Sequence, residues 1–129
     1  MNNFLFYSEG NYSYTRGVLT NHNMNYVIYD LQNGEKLTLE KVFIVSKIGK
    51  INKILKEIVN NDEWLKQQIF EVEQVTVVNN FTFDQNEIIF MYNPKEIAPY
   101  EIGEIEIPIY WSEIKDCIKP WFKQIMSIK

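Results

Sequence analysis

Several carboxylates and tyrosines are close together between residues 92 and 106, and these side chains have the strongest potential for binding or catalysis. Paired carboxylates hydrolyse glycosidic bonds when they are held at a defined separation across a sugar. On a strand, Glu104 and Glu106 would point the same way, about 7 Å apart, which is also typical of a solvated strand face. Tyrosines are enriched at protein interfaces and can stack on sugars. Packing in a buried sheet explains most of these aromatic side chains equally well. The candidate binding contacts are Tyr92, Glu96, Tyr100 and Glu101, and no catalytic pair is predicted.

Nucleophiles and metal ligands are scarce in this chain. Cys117 lies on the apolar face of a predicted helix, where a free cysteine is a small core residue. His22 lies in a polar segment without a nucleophile signature, which favours a solvated histidine over a general base. With one histidine and one cysteine, a zinc site would need carboxylates as its other ligands. Residues 84–87 lack the spacing of a calcium-binding loop. The sequence predicts no catalytic residue, no metal site and no cofactor.

Two predicted strands position the carboxylates and tyrosines of residues 92–106. Residues 88–92 are apolar on both faces, which predicts a central strand covered on both sides. Pro94 and Pro99 then remove amide donors and predict a fixed excursion over residues 93–100. Apolar residues alternate with polar ones over 105–109, which predicts a half-exposed strand. Glu96, between the two prolines, either accepts amides of its own loop or contacts a ligand.

The N-terminal third also shows strand patterns. Aromatic runs at 4–7 and 12–15 flank a turn-rich tetrapeptide at 8–11, which predicts a β-hairpin. Residues 16–25 are polar and predict an irregular segment. Alternation resumes from residue 24 and predicts a further strand ending near Leu31.

Helical patterns occupy the middle of the chain. Thr38 is suited to cap a short helix over residues 39–45. Residues 46–60 show the three-and-four spacing of an amphipathic helix. Asp62 is suited to cap a continuation, in which Trp64 and Phe70 are predicted to be buried.

Ser112 is predicted to cap the last helix, which Pro120 should kink or divide. Together these segments predict an α+β domain, with an antiparallel sheet of about five strands and helices packed mainly on one face.

Composition and charge narrow the possible partners. The 129 residues fit a single domain over 1–129, with 46% hydrophobic residues to build a core. The net charge of −4 and the absence of a lysine and arginine cluster predict that the domain does not bind nucleic acid. No signal peptide or spanning segment is visible in the sequence, and the single cysteine does not indicate a compartment.

One motif resembles a known family. The run from Tyr92 through Asn93-Pro94 to Pro99-Tyr100, followed by Gly103 and Ile107-Pro108, is similar to the C-terminal domain family of the lysozyme-sensing anti-sigma-V factor of Gram-positive bacteria. Related domains are carried by secreted peptidoglycan deacetylases, outside their catalytic domain, and by bacterial lipoproteins. The run 29–39 is similar to the strand, turn and helix entry of that family, so the resemblance covers residues 12–122. The family histidine is replaced by Leu19, so activity or recognition that depends on it is not expected.

The resemblance implies a non-catalytic, extracytoplasmic recognition or sensing module that binds a lysozyme-like protein or a peptidoglycan fragment. It implies that the chain is a fragment of a longer exported protein, attached to the membrane only through a segment outside this chain. An alternative is a glycan-binding accessory domain of a peptidoglycan deacetylase or another cell-wall enzyme. A third hypothesis is a hydrolase that uses the carboxylates Glu96, Glu101, Glu104 and Glu106.

Overall fold

A long two-stranded hairpin begins the chain in this computed structural model, which describes residues 3–129 except for the side chains of Ser13, Thr15 and 18–22. Strand β1 (Phe4–Thr15) pairs antiparallel with β2 (Val18–Asp30). The turn is at Arg16 and Gly17, whose φ angles of 55° and 78° suit the tight turn of a two-residue hairpin loop. The predicted turn at 8–11 and the irregular segment at 16–25 are therefore wrong, because residues 8–11 lie within β1 and residues 18–25 lie within β2.

A three-stranded antiparallel sheet lies at the centre of the domain. Strands β3 (Phe81–Phe83), β4 (Glu87–Tyr92) and β5 (Ile105–Tyr110) follow the order β3-β4-β5. The structure thus confirms β4 as the central strand and the alternating exposure of β5. The five strands and separate helices confirm the α+β class, and the strands divide into two sheets.

Four α-helices, α1 (Leu39–Val42), α2 (Ile48–Asn61), α3 (Glu63–Gln68) and α4 (Pro120–Met126), complete the regular structure that is described. In α2 the buried residues Ile51, Leu55 and Val59 recur every four positions, as predicted for its apolar stripe. The Asp62 carboxylate accepts the amide of Leu65 at 3.0 Å, which confirms the predicted cap of α3.

Two predicted helix caps are wrong. Thr38 makes no capping bond, and the Asn79 side chain accepts the Leu39 amide at 3.0 Å instead. The segment after Ser112 forms two short 3₁₀ turns, Trp111–Glu113 and Lys115–Cys117, before the last helix. Pro120 begins α4, which confirms the prediction that it divides this region, because the first turn of a helix needs no amide donor from it.

An aromatic cluster joins the base of the hairpin to the rest of the fold. The Phe83 ring centroid lies 5.3 Å from those of Phe4 and Phe122, and Trp111 is 5.3 Å from Phe122. The Trp111 indole also donates to the Asp84 carbonyl at 2.9 Å. Burial of these rings against one another fixes β1, β3 and α4 as one unit. Within the described residues, no helix is long and apolar enough to cross a membrane.

Candidate functional site

The connection between β4 and β5, residues 93–104, has a defined backbone shape. The Glu96 amide donates to the Asn93 carbonyl at 3.1 Å, and Lys95 adopts a φ of 76° within this turn. A short 3₁₀ turn, Tyr100–Ile102, follows Pro99, and Gly103 then takes a φ of 80°, a conformation that glycine adopts without strain. The fixed excursion predicted from the two prolines is confirmed.

Buried side chains anchor this connection to the domain. Pro94, Ile97 and Ala98 are buried, and the last two belong to the main core. The Ile97 carbonyl also accepts the Phe70 amide at 2.8 Å, which links the connection to the segment after α3. The exposed residues of the connection therefore stand on a rigid base, as preorganised binding requires.

Two asparagine side chains join the two sheets. The Asn93 side-chain oxygen accepts the Met24 amide at 2.7 Å, and the Asn80 oxygen accepts the Tyr26 amide at 2.7 Å. The Asn80 amide group also donates to the Met24 carbonyl at 2.9 Å. Asparagine side chains thus form hydrogen bonds with the backbone groups of Met24 and Tyr26 at the edge of β2, where a third strand would otherwise pair. The sequence did not predict that Asn80 and Asn93 bond to β2. The only signal was that Asn93 stands directly before Pro94.

Tyr92 belongs to the core and is removed from the predicted binding surface. Its side chain is 1% exposed, and its hydroxyl donates to the Thr76 carbonyl at 2.7 Å. Burial, assisted by the nearby charge of Glu96, raises the pKa of Tyr92 well above its usual value. Tyr92 is the last residue of β4, where both faces are covered, so it lies next to the motif in sequence but not at the surface.

The other three predicted contacts lie at the surface of the connection. Glu96 and Glu101 are exposed, and Tyr100 is half-buried. The Lys95 ammonium lies 5.5 Å from the centre of the Tyr100 ring, within the range of a cation–π contact. The structure describes no hydrogen bond of the Glu96 carboxylate, and the loop is held by Asn93 and its prolines instead. We call Glu96, Tyr100 and Glu101 the acidic connection.

A shallow cleft adjoins the acidic connection through Ile102. Trp64, 59% exposed, lies in this cleft, which has a volume of about 220 Å³. Trp64 and Phe70, which were predicted to be buried, are both exposed. Helix α3 ends at Gln68, and the buried side chains of this segment are Leu65 and Ile69. We call this the Trp64 cleft, lined also by Asp62, Leu65, Ile102, Glu104, Ile105 and Glu106.

The Glu106 carboxylate of the cleft is engaged in a structural contact. The Tyr26 hydroxyl donates to Glu106 at 3.1 Å, and burial together with this bond raises the pKa of Tyr26. Glu104 precedes β5 and is half-buried, whereas Glu106 is exposed on it. The two carboxylates therefore differ in environment, and the cleft between them is open to solvent beside an aromatic ring.

The remaining candidate groups give no reactive constellation in the described part of the chain. Cys117 is buried, as predicted, and burial raises the pKa of its thiol, which disfavours the reactive thiolate. The Asp84 carboxylate accepts the amides of Asn86 and Glu87, so its oxygen is engaged in a turn. No cluster of metal-ligating side chains is present among the described residues. The side chains of His22 and Leu19 lie outside them.

These features define an α+β domain with two sheets joined by asparagine side chains and an acidic, aromatic surface on the β4–β5 connection. Residues 36–112 match the model of DUF3298, a protein family of unknown function. Because this match covers more than half of the chain, the chain belongs to the DUF3298 family. No match was found among the curated proteins.

Two solved structures of this family have a similar fold. A member from Bacteroides fragilis NCTC 9343 is 23% identical with a TM-score of 0.84, over 97% of this chain and 51% of that one. A family protein from Pseudomonas aeruginosa PAO1 is 16% identical with a TM-score of 0.65, over 92% of this chain and 57% of that one. The chain spans little more than half the length of these relatives. At such identities the likeness shows the fold, and the association with lysozyme sensing or peptidoglycan deacetylation stays a prediction.

Proposed function

We propose that this domain is a non-catalytic recognition module that acts outside the cytoplasm and binds a basic, lysozyme-like protein or a cell-wall ligand. The observation that carries this proposal is the acidic connection beside the Trp64 cleft. Exposed carboxylates and aromatic side chains stand there on a backbone anchored by buried Ile97 and Ala98. Such a rigid base keeps the ordering cost of binding low.

Charge favours a basic protein as the partner. The chain carries a net charge of −4. Glu96 and Glu101 of the acidic connection and Glu106 of the Trp64 cleft are all exposed. Complementary charge accelerates encounter and makes binding depend on salt. Trp64 supplies the large exposed aromatic surface that typically carries most of the binding free energy at an interface.

The test is an NMR titration of isotopically labelled domain with a lysozyme and, separately, with soluble peptidoglycan fragments. We expect lysozyme to shift the amides of residues 93–104 and the Trp64 indole, with an affinity that falls as salt rises. Trp64→Ala should weaken binding by about 30-fold or more, as expected for a central aromatic contact. Glu57→Gln, on an exposed position of α2, is the matched control for the loss of charge in Glu101→Gln.

The alternative function, a glycan-binding accessory domain, is favoured by the same exposed Trp64, because an indole ring can stack on a sugar. Shifts of the Trp64 indole with peptidoglycan fragments, and none with lysozyme, would support this alternative. Silence with both ligands would overturn both functions at this surface.

A further inference from the structure

A second cleft, separate from the acidic connection, lies where the segment after β2 meets the start of α4. Its volume is about 370 Å³, within the range of small-molecule sites. Its lining differs from that of the Trp64 cleft because both signs of charge and several amides face it. The residues that matter are Asp30, Gln32, Asn33, Glu35, Lys119 and Trp121.

The floor of this cleft is a fixed turn. Asp30 is 6% exposed, and its carboxylate accepts the Gln32 amide at 2.9 Å. Its backbone amide donates to the Glu35 carbonyl at 2.9 Å, and its carbonyl accepts the Gly34 amide at 2.8 Å. The Asn33 side chain in turn accepts the Glu35 amide at 2.9 Å. These bonds hold the polar groups of the turn in place before any ligand arrives.

One wall is an aromatic ring whose position is also fixed. The Trp121 indole donates to the Lys41 carbonyl at 2.8 Å, and its ring packs edge-on against Phe122 at 5.6 Å. Trp121 is half-buried and lines the cleft. An apolar surface is therefore presented next to hydrogen-bonding groups.

The charges of the cleft largely balance. The Lys41 ammonium lies 3.0 Å from the Glu35 carboxylate and donates to the Lys36 carbonyl at 2.8 Å. Lys119 and Asp30 provide one further group of each sign. An anion would meet two carboxylates and a cation two ammonium groups, so neither is favoured. An uncharged ligand that offers hydroxyls to the turn and an apolar face to the indole suits all of these groups.

We propose that the cleft between Asp30 and Trp121 binds a neutral saccharide, with one sugar ring against the indole and its hydroxyls bonded to Asp30, Gln32 and Asn33. This site is independent of the proposed protein-binding surface, since it shares no residue with the acidic connection or the Trp64 cleft. A single sugar ring should bind with a dissociation constant on the order of 1 mM, as expected for a ligand of about a dozen heavy atoms.

The three tryptophan indoles make the test specific to the site. Labelled domain is titrated with glucose, N-acetylglucosamine and a neutral β-linked tetrasaccharide, and the indole resonances of Trp64, Trp111 and Trp121 are followed by NMR. We expect saturable shifts of the Trp121 indole and of the amides of residues 30–35, with Trp64 and Trp111 unmoved. Sodium acetate serves as the anionic comparison.

Variants complete the test. Trp121→Phe should weaken sugar binding by about tenfold, and Gln32→Ala, at an exposed position, should weaken it without affecting the core. Trp64→Phe is the matched control and should leave sugar affinity unchanged. Shifts at Trp64 instead of Trp121, shifts with acetate alone, or no shift with any sugar would each overturn the inference. Loss of lysozyme binding in Trp64→Ala with sugar binding intact would separate this site from the proposed function.

Discussion

The β4–β5 connection and the distal part of the β1–β2 hairpin, residues 11–23, both extend from the sheets, but they are held in different ways. The connection buries Pro94, Ile97 and Ala98 and receives the Phe70 amide. In the described part of the distal hairpin, the backbone is held by the strand ladder, and Tyr14 is 66% exposed. A two-stranded ribbon is marginally stable by itself. Side-chain burial therefore makes the connection the better platform for binding, although both segments look polar in sequence.

The first prediction compares a buried and an exposed side chain of these two segments. Ile97→Ala should lower the free energy of unfolding by about 2–5 kcal/mol, because it leaves a cavity under the connection. Tyr14→Ala, in the distal hairpin, should change it by less than about 0.5 kcal/mol. Urea denaturation measures both. Equal losses in the two variants would show that the hairpin contributes to the core as much as the connection does.

The second prediction tests the bond that ties the two segments together. Asn93→Ala should cost about 1–3 kcal/mol, because the Met24 amide loses its acceptor near the edge of the sheet. Hydrogen exchange should accelerate at Met24 but stay slow at Tyr26, whose acceptor is Asn80. Asn86→Ala, at an exposed turn, is the control. Unchanged exchange at Met24 would mean that the hairpin does not depend on Asn93.

The contrast also explains which features the sequence could predict. Signals confined to one segment succeeded: the prolines around the connection, the apolar spacing of α2 and the Asp62 cap all act between near neighbours. Features that need distant segments were missed. The asparagine bonds to β2 join residues more than fifty positions apart, and a polar side chain gives no sign of such a partner.

Local signals failed where two of them competed. The tetrapeptide at 8–11 has turn-forming residues, yet Gly10 lies within β1 opposite Met24 because the turn at Arg16 and Gly17 sets the register. The predicted stripe through Trp64 and Phe70 assumed a longer helix than α3 forms. The exposure of the Trp64 indole at the candidate site could be recognised only once the structure showed where α3 ends.

The last prediction uses pH to distinguish a buried tyrosine at the root of the connection from an exposed one in the distal hairpin. Burial raises the pKa of Tyr92 above the value near 10 that it has in the unfolded chain. Below pH 10 both states keep the proton, so the contribution to stability is fully present. Above pH 10 the unfolded state loses the proton first, and stability falls by up to about 1.4 kcal/mol per pH unit.

Tyr92→Phe should remove part of this alkaline loss, and it should cost about 0.5–1.5 kcal/mol at neutral pH because the bond to the Thr76 carbonyl is lost. Tyr14→Phe is the matched control, because it removes a hydroxyl from an exposed ring. Urea denaturation between pH 8 and 11.5 gives both slopes. If the two variants lost stability in parallel at high pH, ionisation of Tyr92 would not distinguish the folded from the unfolded state. The covered root of the connection would then be open to solvent, and the rigidity on which the proposed binding surface depends would be lost with it.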